Sequence, residues 1–553
     1  MTHNILSRSL ELALPLLVLA VLVIIACGGG DSGGDSGGDS DGSSDGTEMG
    51  PRPLTLLRCG QDGSQCAVVL MGSDGSAAAR VTDWIEGGVY SAVWLPDGRR
   101  LAFSAPGEDG SFGVQVTDAG SFEHDLLVER PGVFWSLDRS RIAYLGGTGE
   151  AEGEIYVADA DGSNARQLTA DGGFIRNLEW SPDGKLVLYS LRTDTPGGGQ
   201  VRSTLWIAAA DGSDPAEVAE DVVSRGRWSP EGDRIVFAGV SSEDDGKSDL
   251  YTVAPDGSGV VNLTNEPAGY FGPAWSPDGK SIAFYSDRES DEERFETSWH
   301  VFVMSGDGTG LIRVTGDSFE LMPSGDPVVW SPDGTAVAFT AFDGAFFSES
   351  AVVAPADGSG HTRLTYGFTS DRVVAWTEVS SEVWPSESGQ SELETYIWEF
   401  ERIFGRAFDR LNVEVNPRIQ EASDLVDGFD FGDGEDLDEA VAEAVDQMMD
   451  IGIEAGKLGV DTMRELQDDL GALDPPAELE DANRDIIEAM RPVEALLQEM
   501  IILFESVETP EDVAALELPD ETAVNEASEL LDTACTEIQR ALDENDIPIE
   551  MGC

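Results

Sequence analysis

Lysine is almost missing from this chain of 553 residues: Lys185, Lys247, Lys280 and Lys457 are all there are. Basic residues number 33 against 106 acidic ones, a formal net charge of −73. Such a chain has no basic footprint for phosphate backbones, which excludes nucleic acid as a partner. The charge suits a solvated, self-repelling surface in a salty habitat, where ions screen the repulsion. Histidine is as sparse. His3, His124, His300 and His361 stand alone, with no cysteine or second histidine at metal-ligand spacing. Outside a low-complexity tract near the start, nothing has the form of a hydrolase elbow, a phosphate-cradling loop or a dinucleotide fingerprint. The expectation is a protein that is not an enzyme, with no catalytic, cofactor-binding or metal-binding residues.

Calcium needs separate weighing, because hard oxygen ligands abound. Asp159 and Asp161, and the group Asp430, Asp433, Glu435, Asp436 and Asp438, are the candidates. Neither follows the twelve-residue loop of helix–loop–helix calcium sites. In an Asp-Gly pair the carboxylate is better explained by turn chemistry.

Cysteine is rare too, with five in the chain, and the first marks a targeting segment. A polar stretch with Arg8 precedes an apolar run from Leu12 to Ala26, and Cys27 follows at once. The run is short for a spanning helix, which needs about 20 residues. Ile24-Ile25-Ala26-Cys27 resembles the bacterial lipobox, in which the cysteine is lipidated and becomes the N-terminus. The resemblance implies a lipoprotein with a signal peptide over 1–26 and a membrane anchor at Cys27. It also implies an extracytoplasmic location, at the cell surface or in the periplasm. Residues 27–53 form a linker of Gly, Ser and Asp in low complexity, a flexible spacer with nothing to bury. The four remaining cysteines, Cys59, Cys66, Cys535 and Cys553, allow three disulfide pairings. Local pairing is favoured. Cys59 and Cys66 bracket a turn between two apolar runs, and Cys535 with Cys553 would pin the tail.

A repeat decides the fold. Trp-Ser-Pro-Asp-Gly recurs at Trp180, Trp275 and Trp330, with variants at Trp94, Trp135 and Trp228, and Trp376 follows without the turn. Successive tryptophans are 41, 45, 48, 47, 55 and 46 residues apart, the period of one four-stranded propeller blade. Each repeat reads alike. A strand ends in Trp, Pro-Asp-Gly turns the chain, and two more strands are followed by an Asp-Gly-Ser/Thr hairpin turn. A fourth strand then ends in Leu-Thr or Val-Thr, as at Leu168-Thr169 and Val314-Thr315. The tryptophans read as inter-blade packing rather than as ligand-stacking platforms.

The ends complete each other. Residues 54–82 supply the second to fourth strands of a blade, and 372–380 supply only a Trp-bearing first strand. Six complete blades start at Trp94, Trp135, Trp180, Trp228, Trp275 and Trp330. The expectation is a mainly β chain with a seven-bladed β-propeller over 54–380. The composite blade closes the ring, which leaves no open edge. Six blades is the alternative if that blade is malformed. These motifs, with Ser286-Asp287-Arg288 after one second strand, resemble the TolB-type (WD40-like) propeller family. The resemblance implies one of three settings: periplasmic TolB proteins of the envelope, propellers of prolyl-oligopeptidase-like peptidases, or propellers of unassigned role.

After a linker at 381–392 the period becomes helical. Four amphipathic helices are expected in 393–553, an all-α antiparallel bundle. They fall at about Leu393–Leu411, at Leu437–Leu470, from Pro475-Pro476 through Phe504 with a kink at Pro492, and at Thr522–Leu542. The function expected of the whole is a binding or scaffolding module at the cell envelope. Its ligand would be a protein, peptide or glycan taken at the loop-bearing propeller face, where 241–248, 287–298 and 342–350 are long connections. The alternatives are an envelope assembly or transport factor acting as TolB does, and a propeller lyase or glycosidase with loop-borne carboxylates.

Overall fold

The computed structural model describes residues 53–376, apart from short connections such as 194–201, 242–246, 290–298, 317–326 and 344–347, and segments 391–414, 437–507, 522–545 and 547–549 of the helical part. The stretches expected as signal and spacer, with Cys27, the expected linker up to 390, the acidic group at 430–436 and Cys553 lie outside the described residues. The chain is mainly a β-propeller followed by a helical region.

Among the described residues, seven inner strands end on the repeat tryptophans, from Ser91–Trp94 to the closing strand Ser370–Trp376. The described strands gather into six hydrogen-bonded sheets, not seven separate ones. The difference has a local cause. Val222 pairs with Gly239, so the long outer strand of the Trp180 meander joins the Trp228 meander in one eight-stranded sheet. The two ends of the propeller meet. Leu54–Cys59 pairs antiparallel with the closing strand, from Leu54 opposite Trp376 to Cys59 opposite Ser370. On its other side it pairs with Gln65–Met71, where Cys59 and Cys66 are register partners and disulfide-bonded.

The repeat residues act through specific bonds. Ser181 Oγ donates to Asp183 Oδ1 at 2.8 Å and accepts the Leu186 N–H at 2.9 Å, while Asp183 accepts the Lys185 N–H at 3.1 Å. Ser276 with Asp278 repeats the pattern. These bonds favour the ionised carboxylate. Asp183 and Asp278 are drawn down to about 2 by their lysine, serine and backbone partners, and Asp138 to about 2 by Ser136 and Ser140. A depressed carboxyl stabilises the fold above its free value of 3.8, and that contribution is lost as pH falls through about 2. The denaturation midpoint should therefore decline between pH 4 and pH 2. Asp183→Asn with Asp278→Asn should flatten that decline. An unchanged profile would remove the turns from the acid response.

The Leu-Thr pair sits just beyond the fourth strand rather than at its end, because one hydroxyl replaces the next ladder bond. Leu168 N–H donates to Ile155 O at 2.7 Å, and Thr169 Oγ1 accepts the Ile155 N–H at 2.9 Å. The same exchange joins Leu364 and Thr365 to Ala351, and Val81 and Thr82 to Val68.

Blades touch through tryptophan and through the second turn. The Trp180 indole donates to Phe134 O at 3.0 Å on the preceding inner strand, and Trp330 donates to Ala274 O at 3.0 Å. Trp94 reaches Thr55 Oγ1 at 2.9 Å across the closure. The Asp-Gly turns lie against the outer strand of the blade before: Gly308 against Leu263, Gly358 against Arg313, and Gly75 against Leu364.

Four helices follow among the described residues: α1 (Glu392–Glu414), α2 (Leu437–Gly471), α3 (Glu480–Glu505) and α4 (Thr522–Glu544). The third starts later than the Pro475-Pro476 signal suggests. A residue before proline avoids the helical region, and Leu479 N–H bonds back to Pro476 O in a turn. Pro492 lies inside α3, which runs through it as one helix. One apolar cluster unites Phe400, Met463, Val493 and Ile538 of the helices with Leu56, Val69 and Val373 of the closing blade. No described helix is long and apolar enough to cross a membrane.

Candidate functional site

Two places in the molecule concentrate chemistry: the loop end of the Trp228 and Trp275 blades, and the junction between the closing blade and α1.

At the loop end, polar residues enter the third strand beside the threonine of the Leu-Thr pair, here Thr264, whose Oγ1 accepts the Leu250 N–H at 3.2 Å. Thr264 Oγ1 donates to Asp249 Oδ1 at 2.8 Å, Asn262 Nδ2 donates to Oδ2 at 3.1 Å, and Glu266 N–H donates to Oδ1 at 3.1 Å. Thr315 Oγ1 lies 3.3 Å from His300 Nδ1 in the next blade. The Ser286-Asp287-Arg288 run turns away from the second strand here. Asp287 accepts the Gly269 N–H at 2.5 Å, and Arg288 N–H donates to Ser286 Oγ at 3.2 Å. Only glycine permits that approach, since a Cβ at Gly269 would lie 2.6 Å from the Trp299 ring. The Arg288 guanidinium pairs with Glu266 and sits 5.8 Å from the Phe302 ring centre. Three carboxylates and an arginine thus converge. Asp249 is buried and triply bonded, while the Glu266 carboxylate is 56% exposed and faces solvent beside Arg288. That pair can offer a ligand one charge of each sign. Of the three long connections, 242–246, 290–298 and 344–347 lie outside the described residues.

The junction is built on Arg58. It stands in Leu54–Cys59 as a lone cation in an apolar strand and is 1% exposed. Its Nε donates to Asp371 Oδ1 at 2.8 Å and its Nη2 to Oδ2 at 3.0 Å. Asp371 is its cross-strand register partner on the closing strand and also accepts Thr369 Oγ1 at 2.9 Å. The third nitrogen, Nη1, donates to Glu401 Oε2 of α1 at 3.1 Å. Trp398 covers the guanidinium at 5.2 Å. Burial opposes the charge on Arg58, but the two carboxylates outweigh it and hold the guanidinium protonated. Beside it Arg80 Nε lies 2.9 Å from Glu394 Oε1, near enough to pair in charge though not aligned as a hydrogen bond. Gly405 lets α1 press on Tyr366, for a Cβ there would fall 1.9 Å from the ring.

The residues singled out in the sequence take other places. Trp94, Trp180, Trp228, Trp275 and Trp330 are buried between blades, and Trp135 and Trp376 are half-buried. Cys535 is disulfide-bonded and buried in α4. Asp161 accepts the Ser163 N–H at 2.9 Å and Asp159 accepts Asn164 Nδ2 at 2.6 Å, both within one turn. Among the described residues no group of three or more His, Cys, Asp or Glu side chains is placed to hold a metal. Sequence reasoning does not single out Arg58, Asp371 or Glu401. Their signal is an ionisable residue at a position that strand or helix period assigns to the core.

A family model described as the TolB beta propeller domain matches residues 124–377. The Tol-Pal system protein TolB of Anaeromyxobacter dehalogenans is 31% identical over 217 residues, 37% of this chain and 45% of that protein. The uncharacterized peptidase YuxL of Bacillus subtilis is 29% identical over 195 residues, 30% of this chain and 29% of that protein. The chain spans less than half the length of either relative. Among solved structures, TolB from Acinetobacter baumannii matches at 16% identity with a TM-score of 0.37, over 58% of this chain and 81% of that one. The second relative corrects the expectation that the chain is not an enzyme. Its kinship extends to a peptidase as well as to TolB, so this type of propeller leaves catalysis open.

Proposed function

The chain carries a TolB-type β-propeller followed by a helical region, and from that premise we propose that it is a lipid-anchored, extracytoplasmic protein that binds a protein or peptide ligand at the cell envelope. The ring is read as seven blades, with the eight-stranded sheet counted as two joined by the single Val222–Gly239 pairing. Residues 1–26 are the signal peptide and Cys27 carries the lipid. Residues 28–53, rich in Gly, Ser and Asp, are the tether that joins that lipid to the propeller. Ligand is taken at the loop end, where Glu266 and Arg288 flank the 287–298 connection. The observation that carries this reading is the 31% identity to a Tol-Pal system TolB on a chain with a lipobox-like Ile-Ile-Ala-Cys. That kinship also favours a second reading, an envelope assembly or transport factor.

Cys27→Ser separates the anchor from the rest. The natural protein should fractionate with membranes and take up labelled fatty acid, and the variant should do neither. Retention of the variant in membranes would refute the lipid anchor. For the ligand, cross-linking in native membranes should trap a partner whose yield falls at least tenfold when 290–297 is replaced by a short Gly-Ser turn. Equal yields would place binding elsewhere.

A further inference from the structure

The buried cluster at the junction does not balance in charge. One guanidinium faces two carboxylates. Asp371 takes the bidentate share and a hydroxyl as well. Glu401 is left with a single bond at 3.1 Å. Its other oxygen, Oε1, is buried and has no hydrogen-bond partner among the described residues. Two carboxylates held by one cation in a buried place cannot both ionise freely, and the less well bonded of them keeps the proton.

We propose that Glu401 is a proton-operated clasp: protonated, it holds α1 on the closing blade, and ionised, it loosens the helix and the ring closure together. The coupling is geometric. Arg58 and Asp371 are opposite residues in the strand pair that closes the ring, and Glu401 reaches the same guanidinium from α1. Whatever moves Glu401 redistributes the bonds of the closing pair.

The other charged groups around Glu401 have their own contacts. Arg402 binds Glu399 on the same helix, Arg80 of the Ala78–Arg80 strand pairs with Glu394, and Arg363 stacks 5.9 Å from the Tyr366 ring. Burial pushes the Glu401 carboxyl up to about 7, with Arg58 opposing and the Asp371 charge raising it further. A carboxyl raised from 4.5 to about 7 makes the docked state weaken as pH rises between those values and level off above them. The change in the docking equilibrium is on the order of 100-fold.

The test is amide hydrogen exchange on the full chain at pH 5, 6, 7 and 8, corrected for intrinsic rates, reading the segments 370–376 and 393–411. In the natural protein the opening equilibrium of both should rise together, on the order of 100-fold from pH 5 to pH 8. Glu401→Gln stays neutral and still accepts the Arg58 bond, so its profile should be flat. Equal slopes in the two proteins would overturn the proton clasp. A helix that loosens while 370–376 does not would overturn the coupling. Gly405→Ala disturbs docking against Tyr366 without touching a charge, and should raise exchange in 370–376 as well. An unaffected closing strand in that variant would also overturn the coupling.

Discussion

Arg58→Met is expected to destabilise the fold by about 3–5 kcal/mol, because it leaves the buried Asp371 carboxylate without its cation and the Glu401 carboxyl without its donor. Asp371 is 0% exposed and would lose both guanidinium bonds, keeping only the Thr369 hydroxyl, and Glu401 would lose the one bond it has. Methionine fills much of the same volume, so the loss would come from charge rather than from a cavity. Urea denaturation followed by tryptophan fluorescence measures it, with Trp398 5.2 Å from the substituted group as a local reporter. A companion variant separates desolvation from closure. Arg58→Met with Asp371→Leu and Glu401→Leu removes all three ionisable groups and should regain most of the stability. A loss below about 1 kcal/mol in the single variant would mean that the cluster is wet and contributes little.

This prediction concerns residues that sequence reasoning passes over, and the reason is physical. The tryptophans, Asp-Gly turns and Leu-Thr pairs recur, because each blade must solve the same two problems: turning a hairpin and packing on its neighbour. Repetition makes them visible, and the structure puts each repeat tryptophan at the end of an inner strand. Arg58, Asp371 and Glu401 meet where the repeat is broken, at the composite blade. Their separations in sequence, 313 and 343 residues, leave no local pattern to read. The meeting of Leu54–Cys59 with Ser370–Trp376 follows from counting strands, but the helix seated on it does not. A helical face of Ile397, Phe400 and Phe404 looks the same whether it packs on other helices or on a sheet. In the structure it belongs to one cluster with Leu56 and Val69. The joining of two meanders at Val222 and Gly239 is equally hidden. It depends on the seven-residue outer strand Ala216–Val222, where four other blades have two-residue strands.

The Asp-Gly turns also hold more than their own hairpins, and Gly308→Ala should show it. Gly308 has φ of +85°, and a Cβ there would lie 2.4 Å from Leu263 O and 3.1 Å from Leu263 Cα of the preceding blade. Leu263 cannot yield readily. Its N–H donates to Leu250 O at 2.8 Å, and it is buried between blades. Alanine there should cost about 1–2 kcal/mol for the left-handed backbone and about 1–3 kcal/mol more for displacing that strand. Gly259, in the turn of the Trp228 blade, supplies the comparison. Its φ is +67°, yet a Cβ would meet nothing within 4 Å. Gly259→Ala should therefore lose only the backbone share. Thermal denaturation of the two variants side by side measures the difference, which is the worth of one turn as an inter-blade contact. Equal losses would mean that the glycine serves its own hairpin alone, and that the ring is held by its tryptophans and its closing strand.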